Sequence, residues 1–171
     1  PVEIMLLTLG SPFHLNKISY WARTTLVPLL VLAALKPKAK HVSGVNIDEL
    51  FLQRPDSIGM TAKAPHQSWG WFLLFRGLDT VLRAIEPLFP KKLRARAIDS
   101  AVAFIEERLN GEDGLGAIYP PMANVVMMYE VLGKPADYPP RAMTRRGLDR
   151  LLVIGEHEAY CQPCVSPVWD T

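Results

Sequence analysis

The sequence predicts an all-α fold of stacked helical hairpins, and three observations carry that expectation. Two-residue apolar alternation is nearly absent, and no Asn-Gly or Asp-Gly pair lies between alternating runs. Apolar residues recur instead at three- and four-residue steps. Helix boundaries also repeat: Pro121 and Pro167 open helices 46 residues apart, and Leu109 and Ile154 close them 45 apart. A unit of helix, loop and Pro-initiated helix at this period suggests an open solenoid or a closed α/α barrel, a toroid.

The first helix is predicted over 17–35, where Ile18, Trp21, Ala22, Thr25, Leu29 and Leu32 share a face. Pro28 lies inside it and removes the partner of the Thr24 carbonyl, which predicts a kink. A short helix follows at 47–52, with Asn46 and Glu49 as a capping box, and 59–65 reads as loop. Longer helices are predicted over 69–85, stopping near Pro87, and over 91–109, stopped by Asn110-Gly111. Pro120-Pro121 opens a helix that closes at Gly133, and Pro139-Pro140 opens one that closes at Gly155. Ser166-Pro167 reads as the cap and first residue of a further helix. The inter-helix loops 110–120 and 155–166 are the places to look for a site.

Of the 171 residues, 49% are apolar and 21% charged, which excludes a disordered chain. The balance of 19 basic against 17 acidic residues lacks the basic excess of a nucleic-acid binder. Two cysteines exclude a disulfide-dense scaffold. The longest uncharged apolar run, 26–35, has ten residues, whereas a membrane span needs about 20. The chain starts at Pro1 without a signal-type leader and stops one turn into a helix. It therefore reads as an internal fragment.

The segment 69–89 carries Arg76, Asp79, Arg83 and Glu86 on one stripe and a wide apolar arc elsewhere. Lys36, Lys38 and Lys40 precede it, and Lys91, Lys92, Arg94 and Arg96 follow. That pattern fits a helix lying in one membrane leaflet, with Trp69, Trp71, Phe72 and Phe75 as contacts. The alternative is a core helix with a solvated charge stripe.

Cys161-Gln162-Pro163-Cys164 is a CxxC, and His157 could add a third ligand. A fourth ligand and a thioredoxin-type strand–helix unit are missing, so the pair reads as small apolar residues in a tight inter-helix loop. Glu112-Asp113 reads as solvated turn chemistry. His14, His41, His66 and His157 lack metal-ligand spacing, and no nucleophile-elbow serine occurs. The chain carries no complete catalytic constellation. Trp21, Tyr119 and Trp169 fall near helix starts; their faces either pack helix ends or stabilise cations by about 0.5–2 kcal/mol each.

Three stretches together resemble the squalene-hopene cyclase family, the bacterial class II triterpene cyclases. They are Ser19-Tyr-Trp-Ala-Arg-Thr-Thr-Leu-Val-Pro, Asp113-Gly-Leu-Gly-Ala-Ile-Tyr-Pro-Pro-Met and Cys161-Gln-Pro-Cys-Val-Ser-Pro-Val-Trp-Asp-Thr171. The resemblance spans essentially the whole chain. It implies two α/α barrels around an apolar cavity, with 1–160 part of the N-terminal type of barrel and 161–171 the start of the catalytic one. It implies an isomerase that is monotopic at the cytoplasmic face of a bacterial inner membrane. There an acidic Asp protonates squalene, and carbocation cyclisation yields hopene or hopanol without a cofactor. A homodimer is the candidate assembly.

By position, Trp21, Ile118, Tyr119, Pro120 and Trp169 would line the substrate cavity, and Ile18 and Leu26 the channel entrance. Some family members carry Gln where Tyr119 stands. The structural QW repeat is degenerate, with Leu109 for its Gln and Gly116 for its Trp. The Asp-x-Asp-Asp acid motif is absent from the 171 residues, so the chain is expected to be inactive alone. Two other readings compete. A protein prenyltransferase β-subunit needs an Asp, Cys and His zinc site that these residues do not assemble. A non-catalytic helical-repeat scaffold at a membrane surface would show polar inter-helix loops and no apolar cavity.

Overall fold

The computed structural model describes residues 1–38, 48–52, 57 and 63–164. It contains helices α1 (Tyr20–Leu35), α2 (Trp69–Ile85), α3 (Lys91–Glu106), α4 (Tyr119–Val131) and α5 (Pro139–Asp149), then strands β1 (Leu152–Ile154) and β2 (Ala159–Cys161). Two compact units emerge, one drawn from 1–37 and from 90 onward, the other from 38–89.

In the first unit α1 packs on α3 and α4, α4 packs on α5, and a 3-10 turn at Val2–Leu6 packs on α3. The core forms where their stripes meet. Val27 and Val31 come from α1, and Ala97, Ala101 and Ile105, at steps of four, come from α3. Val125, Met128 and Tyr129 come from α4. Fully burying a Val, Ile or Met side chain stabilises the fold by about 1.5–3 kcal/mol each. Glu3 is buried too, and its carboxylate accepts from Arg94 Nε of α3 at 2.9 Å, tying the N-terminal turn to that helix.

One reading of the first helix changes. The predicted 17–35 segment breaks into a 3-10 turn at Leu15–Lys17, an extended Ile18 and then α1. Competing caps cause the break: His14 Nδ1 accepts from the Asn16 N–H at 3.0 Å, and Ser19 Oγ accepts from the Ala22 N–H at 3.3 Å. Ile18 therefore lies outside the helix that carries Trp21. Pro28 sits buried inside α1, which runs continuously from Tyr20 to Leu35.

The α2 bounds match the sequence reading. Helix α3 ends at Glu106, a turn before Leu109, and α4 starts at Tyr119 with prolines in its first turn. Helix α5 starts at Pro139 as expected but stops at Asp149, short of Gly155. The residues beyond it form an antiparallel hairpin with Leu152 opposite Cys161, Val153 opposite Tyr160 and Ile154 opposite Ala159. This corrects the expectation of a helix running on to Gly155 and of a simple inter-helix loop around Cys161, while the fold stays helical apart from these two short strands. Branched Leu152, Val153 and Ile154 suit a pleated ladder, and Gly155 serves its turn, with its N–H donating to the Glu158 carbonyl at 2.8 Å. The repeat in helix ends is lost with that change. Asn46, most of 59–65, Pro167 and Trp169 lie outside the described residues.

The second unit contributes α2. None of its residues is buried. Its aromatics divide between two faces. Trp71 stacks on Phe75 with centroids 5.8 Å apart, on the side shared with Leu78 and Leu82. Trp69 instead meets Phe72 edge-on at 5.9 Å, with Arg76 over the Phe72 ring and Lys63 over the Trp69 ring. Asp79 pairs with Arg83 at 2.8 Å on the charge stripe. Among the described residues no helix is long and apolar enough to cross a membrane.

Candidate functional site at an apolar recess

The first turn of α1 is held from several sides. Ser19 caps it, and Arg23 NH1 donates to Asn16 Oδ1 at 2.8 Å, tying it to the preceding turn. Thr24 and Thr25 hydroxyls both fold back onto the Trp21 carbonyl, at 2.9 and 3.2 Å. Trp21 is thus fixed through its backbone, and its ring meets Tyr20 edge-on at 5.5 Å.

Facing it is the turn between α3 and α4. Gly114, Gly116 and Ala117 adopt φ of 61, 71 and 56°, the left-handed region that ordinary side chains avoid. The turn is anchored by Leu115, which is fully buried, and by the Asn110 N–H, which donates to the Gly114 carbonyl at 2.9 Å. Gly114 lies against Gly147 of α5, and Gly116 lies against the benzo edge of Trp21. Ile118 leaves the turn extended and pairs in a β-bridge with Cys164. The Tyr119 N–H donates to the Pro163 carbonyl at 2.9 Å. Because Pro120 and Pro121 have no N–H, that bond satisfies a helix start with few donors to place. The two loops singled out from the sequence, 110–120 and 155–166, therefore meet.

Between α1 and this turn lies an open recess of about 500 Å³, lined by Trp21, Ala22, Thr25, Leu26, Leu29 and Ile118. None of the six can titrate. The recess can hold a hydrocarbon and offer an indole face to a developing cation, but it cannot supply a proton. Of the sequence candidates, it brings together Trp21, Leu26 and Ile118. Tyr119 stands half-exposed at the start of α4, Pro120 is exposed beside it, and Ile18 sits ahead of α1; none of these lines the recess. Ala22, Thr25 and Leu29, which the periodicity places on the Trp21 face of the helix, join the recess although they were not among the cavity candidates.

The remaining polar clusters are structural. Glu106 accepts from the Tyr138 hydroxyl at 2.6 Å and from the Tyr129 hydroxyl at 3.5 Å. Burial first, then the Glu106 charge, pushes the Tyr129 hydroxyl well above the usual tyrosine range. Tyr138 is raised chiefly by its hydrogen bond to Glu106. Cys161 is exposed on β2 and Cys164 is buried, and neither is in a disulfide. Among the described residues no three His, Cys, Asp or Glu side chains gather as a metal site.

The described helices thus present one apolar recess with an indole on its wall and no titratable side chain in its lining. The family model for the squalene-hopene cyclase N-terminal domain matches residues 1–157, and the chain belongs to that family, whose fold is the helical toroid. Over all of its 171 residues it is 78% identical to the squalene-hopene cyclase of Bradyrhizobium diazoefficiens, covering 26% of that protein. It is 52% identical over 177 aligned positions to the squalene-hopene cyclase of Zymomonas mobilis, again covering all of the chain and 26% of that protein. The chain thus spans about a quarter of the length of the curated relatives it matches. Neither the prenyltransferase nor the scaffold reading is favoured by these relatives.

Proposed function

We propose that the whole protein containing this chain is a squalene-hopene cyclase, converting squalene to hopene or hopanol by proton-initiated carbocation cyclisation. The observation that carries this reading is the meeting of Trp21, Leu26 and Ile118 on one apolar recess in a chain of this family. A cyclising polyene needs a wall that excludes water and bases while an aromatic face stabilises passing charge. Trp21 supplies that face, and Ala22, Leu26, Leu29 and Ile118 supply the wall. Tyr119, Pro120 and Trp169 line the cavity further along, with Ile18 and Leu26 toward the channel entrance. The proton comes from outside these residues, since no Asp-x-Asp-Asp occurs among them.

Residues 1–160 belong to the N-terminal type of barrel and 161–171 begin the catalytic one; the end of the family match at residue 157 supports this boundary. The α2 face carrying Trp71 and Phe75, flanked by Trp69 and Phe72, seats the protein as a monotopic guest in one leaflet, at the cytoplasmic face of the inner membrane. The full-length protein incubated with squalene in detergent should yield pentacyclic products by gas chromatography–mass spectrometry, and the 171-residue chain alone should yield none. Recovery of squalene unchanged from the full-length protein would overturn the proposal.

A further inference from the structure

We propose that Gly116 is the positioning residue for Trp21, setting the tilt of the indole at the recess and so the hydrocarbon shape accepted there. The role in substrate shape rests on the cyclase reading above; the contact itself does not. A Cβ built on Gly116 would lie 3.1 Å from Trp21 Cζ3, 3.5 Å from Cε3 and 3.8 Å from Thr24 Oγ1. The ring cannot retreat by sliding its helix, because α1 packs on α3 and α4 with Thr24, Val27, Pro28 and Val31 buried. Any Cβ at 116 must therefore rotate the indole, and Ile118, two residues on, lines the same recess.

Backbone conformation does not by itself require glycine here. Ala117 holds φ of 56° in the same turn with a Cβ in place, next to Gly116 at 71°. What distinguishes 116 from 117 is the ring above it. Gly133 gives the matching control: its φ is 69°, but a Cβ there would meet nothing within 4 Å. Gly116→Ala and Gly133→Ala thus share the backbone strain and differ in the indole contact.

The test uses the full-length protein labelled with 5-fluorotryptophan, in wild-type, Gly116→Ala, Gly133→Ala, Trp21→Phe and Trp21→Phe/Gly116→Ala forms. The Trp21 resonance is the one that Trp21→Phe removes. It should shift in Gly116→Ala and stay in place in Gly133→Ala. On squalene, Gly116→Ala should lower kcat/KM by roughly ten- to a hundredfold, the scale of a misplaced catalytic contact, and redistribute the products. Gly133→Ala should stay within about twofold, and Gly116→Ala should change little once residue 21 is Phe. An unmoved resonance in Gly116→Ala, equal losses in the two glycine variants, or an undiminished loss in the Trp21→Phe background would overturn the proposal. If Gly116→Ala does not fold, the double variant must fold as Trp21→Phe does; its failure overturns the proposal as well. A wild type that leaves squalene unchanged refutes the cyclase reading, and the fluorine shift alone then decides the positioning.

Discussion

Gly147→Ala isolates the packing that holds the recess turn in place. Gly147 sits in α5, where alanine favours the helix over glycine by about 1 kcal/mol. Its neighbours oppose that gain. An added Cβ would stand 3.1 Å from both the N and the Cα of Gly114 and from Met122 Sδ. The sulfur can swing away, but the Gly114 backbone is held by its own turn, and overpacking of this kind costs about 1–3 kcal/mol. The clash outweighs the propensity, and the net loss is on the order of 1 kcal/mol. Gly77→Ala in α2 is the counterpart, since nothing lies within 4 Å of its Cβ position, and it should gain about 1 kcal/mol. Thermal melts of the full-length protein should place Gly147→Ala below wild type and Gly77→Ala at or above it. A Gly147→Ala protein melting as high as Gly77→Ala would show that α5 and the 114 turn do not approach as described.

Three further outcomes follow from the structure. Tyr129 holds its proton above the ordinary value of about 10, so its contribution to stability is complete below pH 10 and is lost as pH climbs through the folded value. Wild type should lose stability more steeply between pH 10 and 12 than Tyr129→Phe, as followed by denaturant unfolding at each pH. Cys161 should react with a thiol reagent in the native protein while Cys164 reacts only on unfolding, which peptide mass mapping reads directly. Replacing Trp71, Phe72 and Phe75 with Ser should abolish flotation of the full-length protein with liposomes, and undiminished flotation would remove α2 from the membrane contact.

Helix starts were legible in the sequence wherever a local device marks them. Pro139-Pro140 marks α5, and the run from Trp69 to Pro87 bounds α2 at both ends. Ends that depend on a distant partner were not. The stretch 151–154 continues the apolar content of α5, and only its pairing with 159–161 makes it a strand. Ile18 shows the same limit at short range, since its helical spacing is overruled by two neighbouring caps. The second aromatic face of α2 was hidden for another reason. Trp69 and Phe72 are as apolar as Trp71 and Phe75, but Lys63 and Arg76 claim them.

The site shows why a helical chain of this kind needs its irregular loops. Trp21 and Leu26 could be read as helix-face residues, but a helix face alone is convex and cannot enclose a hydrocarbon. The concavity comes from the 114–118 turn, whose positive φ angles swing Ile118 across to α1. That turn would be free to relax if its far end were loose. It is closed instead by the Tyr119 N–H on the Pro163 carbonyl and by the bridge from Ile118 to Cys164. The CxxC segment therefore acts through its backbone, clamping the turn from behind. Its spacing matters because Pro163, which offers only an acceptor, must fall opposite the one donor that Pro120 and Pro121 leave at the start of α4.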